Sequence, residues 1–278
     1  MKCVTGRLEL RSELSLVERS DTGFVPTMGA LHKGHLSLVE CARKECRVVV
    51  VSIFVNPAQF DDRNDLRNYP RMEDRDVELL KSAGADIVFI PSVEEVYPEP
   101  DTRLFDFGDR GRVMEGATRP GHFNGVAQVV SRLFDLINPG RAYFGKKDFQ
   151  QIAIVKAMVS QLGYKVEIVG CDTVRDEDGL ALSSRNLLLD TEHRAAAPMI
   201  YTALKEGVRL SRSESVEEIE KRVRQSVERS PLLKVIYFEI VDAATLQQVR
   251  SWDDATEIQG CIAVKAGNIR LIDNIQFR

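Results

Sequence analysis

The sequence predicts an α/β protein, with a parallel sheet in a larger N-terminal domain and a smaller α+β domain behind it. Three observations carry that prediction. Strand and helix patterns alternate from Phe24 to Ile90. The segment Arg47–Val55 is β-branched and almost unbroken, as expected of a strand buried on both faces of a parallel sheet. From about residue 174 the pattern changes to long helices followed by strands of alternating polarity.

Taken in order, Phe24–Thr27 is a short apolar strand that runs into a Gly-containing loop. A helix over His35–Arg43 follows, with Leu36, Val39 and Ala42 at helical spacing. After the Arg47–Val55 strand, Glu73–Ala83 puts Val77, Leu80 and Ala83 on one helical face, and Gly84 sits where a C′ glycine belongs. Ile87–Ile90 is the next strand. This βαβαβ order implies a Rossmann-like sheet with right-handed crossovers. Pro91–Pro120 reads as loop with short pieces of structure. Asn124–Ile137 is the clearest helix, with Val126, Val129, Val130, Leu133, Phe134 and Ile137 in one stripe and Asn138-Pro139-Gly140 as its stop. Arg141–Phe144 (strand), Gln150–Leu162 (helix, closed by Gly163) and Lys165–Val169 (strand) complete a first domain, 1–173.

The second domain, 174–278, opens with helices over Asp190–Leu210 and Val216–Glu228, the latter introduced by Ser215 and Glu218 in capping-box spacing. Lys234–Val241 and Ile262–Ala266 alternate like antiparallel strands. Ile269–Ile272 can pair back through a Gly267-Asn268 turn.

Composition sets the outer limits. The 278 residues suit two domains of about 150 residues each. Apolar residues at 44% and charged residues at 29% are enough for a core and an ordinary polar surface. A net charge of −4 gives no general attraction to a phosphate backbone, so nucleic acid is not an expected partner. The longest apolar run, Val48–Val55, is interrupted by Ser52 and falls well short of the roughly 20 residues a membrane helix needs. Met1–Ser20 has no signal-peptide core. Cys3, Cys41, Cys46, Cys171 and Cys261 are scattered without zinc spacing and read as reduced thiols of a cytoplasmic protein.

Three loops carry chemistry. The first is Pro26-Thr27-Met28-Gly29-Ala30-Leu31-His32-Lys33-Gly34-His35, between the first strand and the first helix. Ligands of open parallel sheets collect at that end of the strands, and a helix N-terminus offers N–H groups and a positive dipole end to a phosphate. His32 and His35 flank the turn and can both donate to one phosphate. The second is Tyr143-Phe144-Gly145-Lys146-Lys147-Asp148-Phe149-Gln150-Gln151, again strand into helix. Its lysines can neutralise phosphate charge. Asp148 fits either an ordinary N-cap or a hydrogen bond to ribose hydroxyls. The third is Leu182-Ser183-Ser184-Arg185-Asn186, whose hydroxyls and guanidinium suit a triphosphate clamp, although by itself it reads as a turn.

The His-x-Gly-His pattern resembles that of the adenylyl-transferring Rossmann-like enzymes. With Phe54-Val55-Asn56-Pro57-Ala58-Gln59-Phe60, Tyr69-Pro70-Arg71, Arg119-Pro120-Gly121-His122-Phe123 and Arg270-Leu271-Ile272-Asp273-Asn274, the three loops resemble the pantothenate synthetase (pantoate–β-alanine ligase) family over nearly the whole chain. The resemblance implies ATP-dependent, magnesium-assisted ligation of pantoate to β-alanine through a pantoyl-adenylate, with release of pyrophosphate and then AMP. It implies a homodimer. Because Leu182–Asn186 lies just past the domain boundary while His32, His35 and Lys147 lie before it, the C-terminal domain is expected to close as a lid. Met28, Gly29, Ala30, Leu31, His32, Lys33, Gly34 and His35 match the family's ATP loop, with His35 the usual proton donor. Gly145, Lys146, Lys147, Asp148, Val174, Leu182, Ser183, Ser184 and Arg185 match the remaining ATP contacts. Gln59 and Gln151 match the pantoate-binding glutamines, and Gln59 also the β-alanine site.

Two positions depart from the family pattern. Leu182 stands where Met is usual, a nearly volume-neutral change. Lys33 stands where acidic or amide residues are common and adds positive charge beside the phosphates.

The resemblance assigns no magnesium ligands. His32, His35, Lys147 and Arg185 are the expected stabilisers of charge building on the α-phosphate. The competing readings are another small-molecule adenylyltransferase of the same superfamily and a non-catalytic nucleotide-binding module. Retention of His32, His35, Lys147, Ser183, Ser184 and Arg185 argues against the module.

Overall fold

A computed structural model describes Met1–Arg278. In chain order the first elements are β1 (Lys2–Val4), α1 (Arg7–Leu14), β2 (Thr22–Thr27), α2 (Lys33–Glu45), β3 (Val48–Ile53), α3 (Arg63–Asn68), α4 (Glu73–Ala83), β4 (Ile87–Phe89) and α5 (Val93–Val96). They are followed by α6 (Met114–Thr118), α7 (His122–Ile137), β5 (Arg141–Gly145), α8 (Phe149–Leu162) and β6 (Glu167–Cys171). Strands β1–β6 form one six-stranded sheet in the order β1-β4-β3-β2-β5-β6. All five pairings are parallel, with Phe24 opposite Val50 and Ala142, and Val50 opposite Ile87.

The two-residue period of a strand divides this sheet's core between its faces. Phe24, Val50, Phe89 and Ala142 pack with Leu10 of α1, the α7 stripe and Ile154, Val155 and Met158 of α8. Their neighbours Val25, Val49, Val51, Val88 and Tyr143 pack instead with Leu38, Val39 and Ala42 of α2 and Leu80 of α4. Both faces are covered, which is why Val48–Val51 can be apolar without alternation. Gly84, at φ 85°, ends α4 and Asn138, at φ 49°, ends α7, each in the left-handed region that stops a helix.

The remaining elements are α9 (Thr191–Ala196), α10 (Met199–Leu210), α11 (Val216–Val227), β7 (Leu233–Asp242), β8 (Ile258–Ala266) and β9 (Ile269–Gln276). The last three make an antiparallel sheet in sequence order, with Val264 opposite both Val235 and Leu271. Ile200 and Leu204 of α10 and Ile219 and Val223 of α11 share a core with Phe238, Ile240 and Ile262.

The structure departs from the sequence expectations in several places, three of them with a clear physical reason. The helix expected over Asp190–Leu210 is two helices, because Pro198 has no N–H to continue the first. β8 begins at Ile258, before the expected Ile262, since Gln259 and Gly260 interrupt the polarity pattern without interrupting the ladder. β1 was not anticipated, because Lys2–Val4 is too short to show a period, yet it pairs with β4 at the sheet edge.

The chain forms two compact units rather than one cut at 173/174. Met1–Phe107, Arg119–Lys146 and Gln151–Asp172 make the first; Gly108–Thr118, Lys147–Gln150 and Thr173–Arg278 make the second. Side-chain bonds account for the two inserted segments. Glu115 accepts from Tyr237 Oη at 3.0 Å and from Arg270 Nε at 3.2 Å. Gln150 Nε2 donates to Arg110 O and Val113 O at 2.8 and 2.9 Å. No helix is long and apolar enough to cross a membrane.

Candidate active site

The strand order gives the first-unit candidates a common setting. From β2 the chain steps through β3 and β4 in one direction, and then β5 is added on the other side of β2. The carboxyl ends of β2 and β5 therefore flank a topological switch point, where open α/β sheets bind ligands. Met28–His35 follows β2, Gly145 ends β5 with Lys146 directly after it, and Gln59 follows the adjacent β3. Gln151 lies in the first turn of α8. The structure thus gathers the first-unit candidates at one end of three neighbouring strands.

Loop geometry explains the spacing of the histidines. Gly29 and Ala30 both take positive φ, 83° and 50°, which turns the chain sharply out of β2. A Cβ on Gly29 would stand 3.1 Å from both Asp76 Oδ2 and Ile53 Cγ2. His32 then caps α2, its Nδ1 accepting from Gly34 N at 3.1 Å, and His35 Nδ1 accepts from His32 N at 3.3 Å. The rings lie 4.0 Å apart. A ring nitrogen that accepts carries no proton, so each neutral imidazole bears its proton on Nε2. The cap bonds fix the tautomer in which Nε2 is a donor.

Asp76 braces this turn. It is fully buried on α4, and its Oδ2 and Oδ1 accept from Ala30 N and Leu31 N, both at 2.7 Å. Burial raises its pKa above the ordinary carboxylate value, partly offset by the bonds from Leu31 and Ala30. Sequence reading missed it, although a signal was present: Asp76 shares a helical face with Leu80 and Ala83, and an acid on a core face needs an explanation. A cavity of about 260 Å³ is lined by Met28, Gly29 and Asp76 together with Arg71. His32, His35 and Gln59 do not line it.

Gln59 is held on several sides. Its Oε1 accepts from Asn56 Nδ2 at 3.1 Å, and its Nε2 lies 3.2 Å from Met28 Sδ. Its backbone oxygen accepts from His122 Nδ1 at 2.7 Å, and Asn56 Nδ2 also reaches Gly125 O at 3.2 Å. Arg119 lies 3.2 Å from His122 Nε2 and pairs with Asp61 at 2.9 Å. The Arg119–Phe123 motif therefore supports the Gln59 turn, a role its sequence did not reveal.

The two lysines separate by environment. Lys146 is half exposed and pairs with the exposed Asp172 at 2.6 Å. The Lys147 side chain is only 16% exposed, with its ammonium 3.1 Å from Asp148. Lys147 and Asp148 belong to the second unit, as do Val174 and Leu182–Arg185. Val174–Leu182 forms a hairpin in which Leu182 N donates to Val174 O at 3.0 Å and Arg175 pairs with Ala181. Ser183 caps the following 3-10 turn, accepting from Arg185 N at 3.3 Å, and Ser184 is buried.

Comparison with known proteins gives one consistent result. A family model described as pantoate-beta-alanine ligase matches residues 2–276. The pantothenate synthetase of Bacteroides thetaiotaomicron is 52% identical over an alignment of 280 positions, covering 100% of this chain and 99% of the relative. That of Phocaeicola vulgatus is 54% identical, with both chains fully covered. Among solved structures, pantothenate synthetase from Thermus thermophilus superposes with a TM-score of 0.94 at 46% identity, over 100% of this chain and 99% of that one. A pantoate-beta-alanine ligase from Francisella tularensis, complexed with beta-gamma ATP and beta-alanine, gives 0.84 at 34% identity, over 100% and 98%.

Proposed function

The chain belongs to the pantoate–β-alanine ligase family, and from that membership we propose that it joins pantoate to β-alanine through a pantoyl-adenylate. The observation that carries this reading is the His32-Lys33-Gly34-His35 turn at the switch point of the parallel sheet, in a chain that matches the family along its length. In the first step a pantoate carboxylate oxygen attacks the α-phosphorus of ATP. A P–O bond forms, the bond to the β-phosphate bridging oxygen breaks, and pyrophosphate leaves. In the second step the β-alanine amine attacks the acyl carbon, the C–O bond to AMP breaks, and the amine loses a proton as the amide forms.

Each candidate residue has a role suited to its chemistry. The Nε2–H groups of His32 and His35 face the task of donating to phosphate oxygens as charge builds there. Lys147 and Arg185 supply positive charge, and Ser183 and Ser184 supply hydroxyl donors. Met28–Leu31, Lys33, Gly34, Gly145, Lys146, Asp148, Val174 and Leu182 complete the ATP set. Gln59 and Gln151 bind pantoate, matching its hydroxyl and carboxylate groups without adding charge, and Gln59 also serves β-alanine. Magnesium would arrive on the triphosphate, ligated mainly by phosphate and water, and would neutralise phosphate charge there. Homodimerisation, a cytoplasmic location and a second unit that acts as a lid belong to the same proposal.

The test is AMP and pyrophosphate formation with ATP and magnesium. Pyrophosphate release should require pantoate, and AMP release should require pantoate and β-alanine together. ATP cleavage that proceeds equally without pantoate would overturn the reading.

A further inference from the structure

The end of β9 carries two buried polar residues side by side, Asp273 at 5% exposure and Asn274 at 7%. Burying such groups is costly unless they are bonded. Both are bonded, and their partners lie in two segments of the second unit assigned above to ATP. Asp273 accepts a bidentate pair from Arg175, Nη1 at 2.6 Å and Nη2 at 2.8 Å. The Arg175 guanidinium lies 3.5 Å from the centre of the Tyr201 ring, and Nη1 also donates to Gly179 O at 3.2 Å. Arg175 stands on the first arm of the hairpin whose second arm delivers Leu182–Arg185, and it bridges directly to Ala181. Asn274 Nδ2 donates to Lys147 O at 2.8 Å, while its Oδ1 accepts from Gln259 Nε2 at 2.7 Å. The Asn274 N–H closes the network on Asp273 Oδ1 at 2.8 Å.

We infer that Asp273 and Asn274 are positioning residues for the nucleotide: Asn274 holds the backbone of Lys147, and Asp273, through Arg175, holds the hairpin that carries Ser183–Arg185. A lysine side chain is a flexible stem, and a charge at its tip is aimed only as well as its backbone is fixed. One dipeptide on a sheet strand thus anchors both the ammonium-bearing and the guanidinium-bearing segments. This explains why a motif at the far end of the chain accompanies the phosphate loops. The inference rests on the ATP assignment of Lys147 and Arg185.

The test is steady-state kinetics on full-length protein with Asn274→Asp, which keeps an acceptor for Gln259 and removes the donor to Lys147. We expect kcat/KM for ATP to fall about 10-fold with the KM for pantoate within about two-fold of wild type. Placed on Lys147→Ala, Asn274→Asp should cause no further loss, because the two act as one unit. A general structural defect would instead lower both substrates' parameters and multiply with Lys147→Ala, and that result overturns the inference. So does an unchanged kcat/KM for ATP in folded Asn274→Asp. Should that variant fail to fold, Arg175→Lys in the background of Arg185→Ala makes the same comparison on the hairpin arm. Lys147→Ala or Arg185→Ala with wild-type ATP kinetics would refute the ATP assignment itself, a separate failure.

Discussion

At the residue scale, adjacent side chains of one type turn out to have unequal surroundings. Lys146 is half exposed against an exposed carboxylate, whereas Lys147 is largely enclosed and its backbone is tied down by Asn274. The second is the more enclosed of the two, with its side chain 16% exposed against 52%. Replacing Lys147 or His35 by Ala should lower the single-turnover rate of adenylation by about 10²–10³-fold, the scale of losing one donor to a transition-state oxyanion. Lys146→Ala should stay within a few-fold. A rapid-quench measurement of pyrophosphate formation checks all three, and a larger loss at Lys146 than at Lys147 would reverse the assignment. The histidines extend the same point. Their Nδ1 atoms are occupied by the backbone of their own helix cap, so the loop that presents them also chooses the nitrogen that donates.

At the element scale, the first turn of α7 meets the Pro57–Gln59 turn at a distance only glycine permits. A Cβ on Gly125 would lie 2.2 Å from Ala58 O and 2.7 Å from Gln59 N. The approach lets His122 and the Gly125 carbonyl hold that turn from one helix. Gly125→Ala should push the turn away from α7, costing about 1–3 kcal/mol of stability as an overpacking change. It should also raise the KM for pantoate more than the KM for ATP. Thermal unfolding and the two KM values check this; equal effects on both substrates would detach Gln59 from pantoate. Asp76 does for the Gly29–Leu31 turn that leads to His32 what α7 does for Gln59, a buried carboxylate on α4 receiving the Ala30 and Leu31 N–H groups. In each case a neighbouring helix, rather than the loop itself, supplies the rigidity.

At the scale of the whole molecule, the chain has two compact units with separate cores, and residues assigned to ATP occur in both. A ligand that interacts with one arrangement of two units more strongly than with another shifts their equilibrium toward the first. The lid proposal therefore predicts that ATP, or a non-hydrolysable adenylate analogue, reduces the radius of gyration in solution. Arg185→Ala should blunt the change. Small-angle scattering with and without ligand checks it, and an unchanged profile at saturation would leave a rigid protein.

The sequence by itself determined the parallel sheet and the clear α7 stripe, and it singled out the three candidate loops, because each is written in local terms. Buried strands are uninterrupted runs of β-branched residues, an amphipathic helix repeats every few positions, and a phosphate turn needs glycines and donors close together in the chain. It also carried the family, whose motifs are short and ordered. What only the tertiary structure decided are the supports. Asp76, forty-odd positions from the turn it braces, and Asn274, still farther from Lys147, act through contacts that no local period encodes. The grouping of Gly108–Thr118 and Lys147–Gln150 with the C-terminal sheet was hidden for the same reason: it depends on Tyr237, Arg270 and Asn274 reaching back along the chain. A hydrogen bond from a side chain to a distant backbone group leaves in the sequence only one polar residue at a position expected to be apolar, and finding its partner takes the fold.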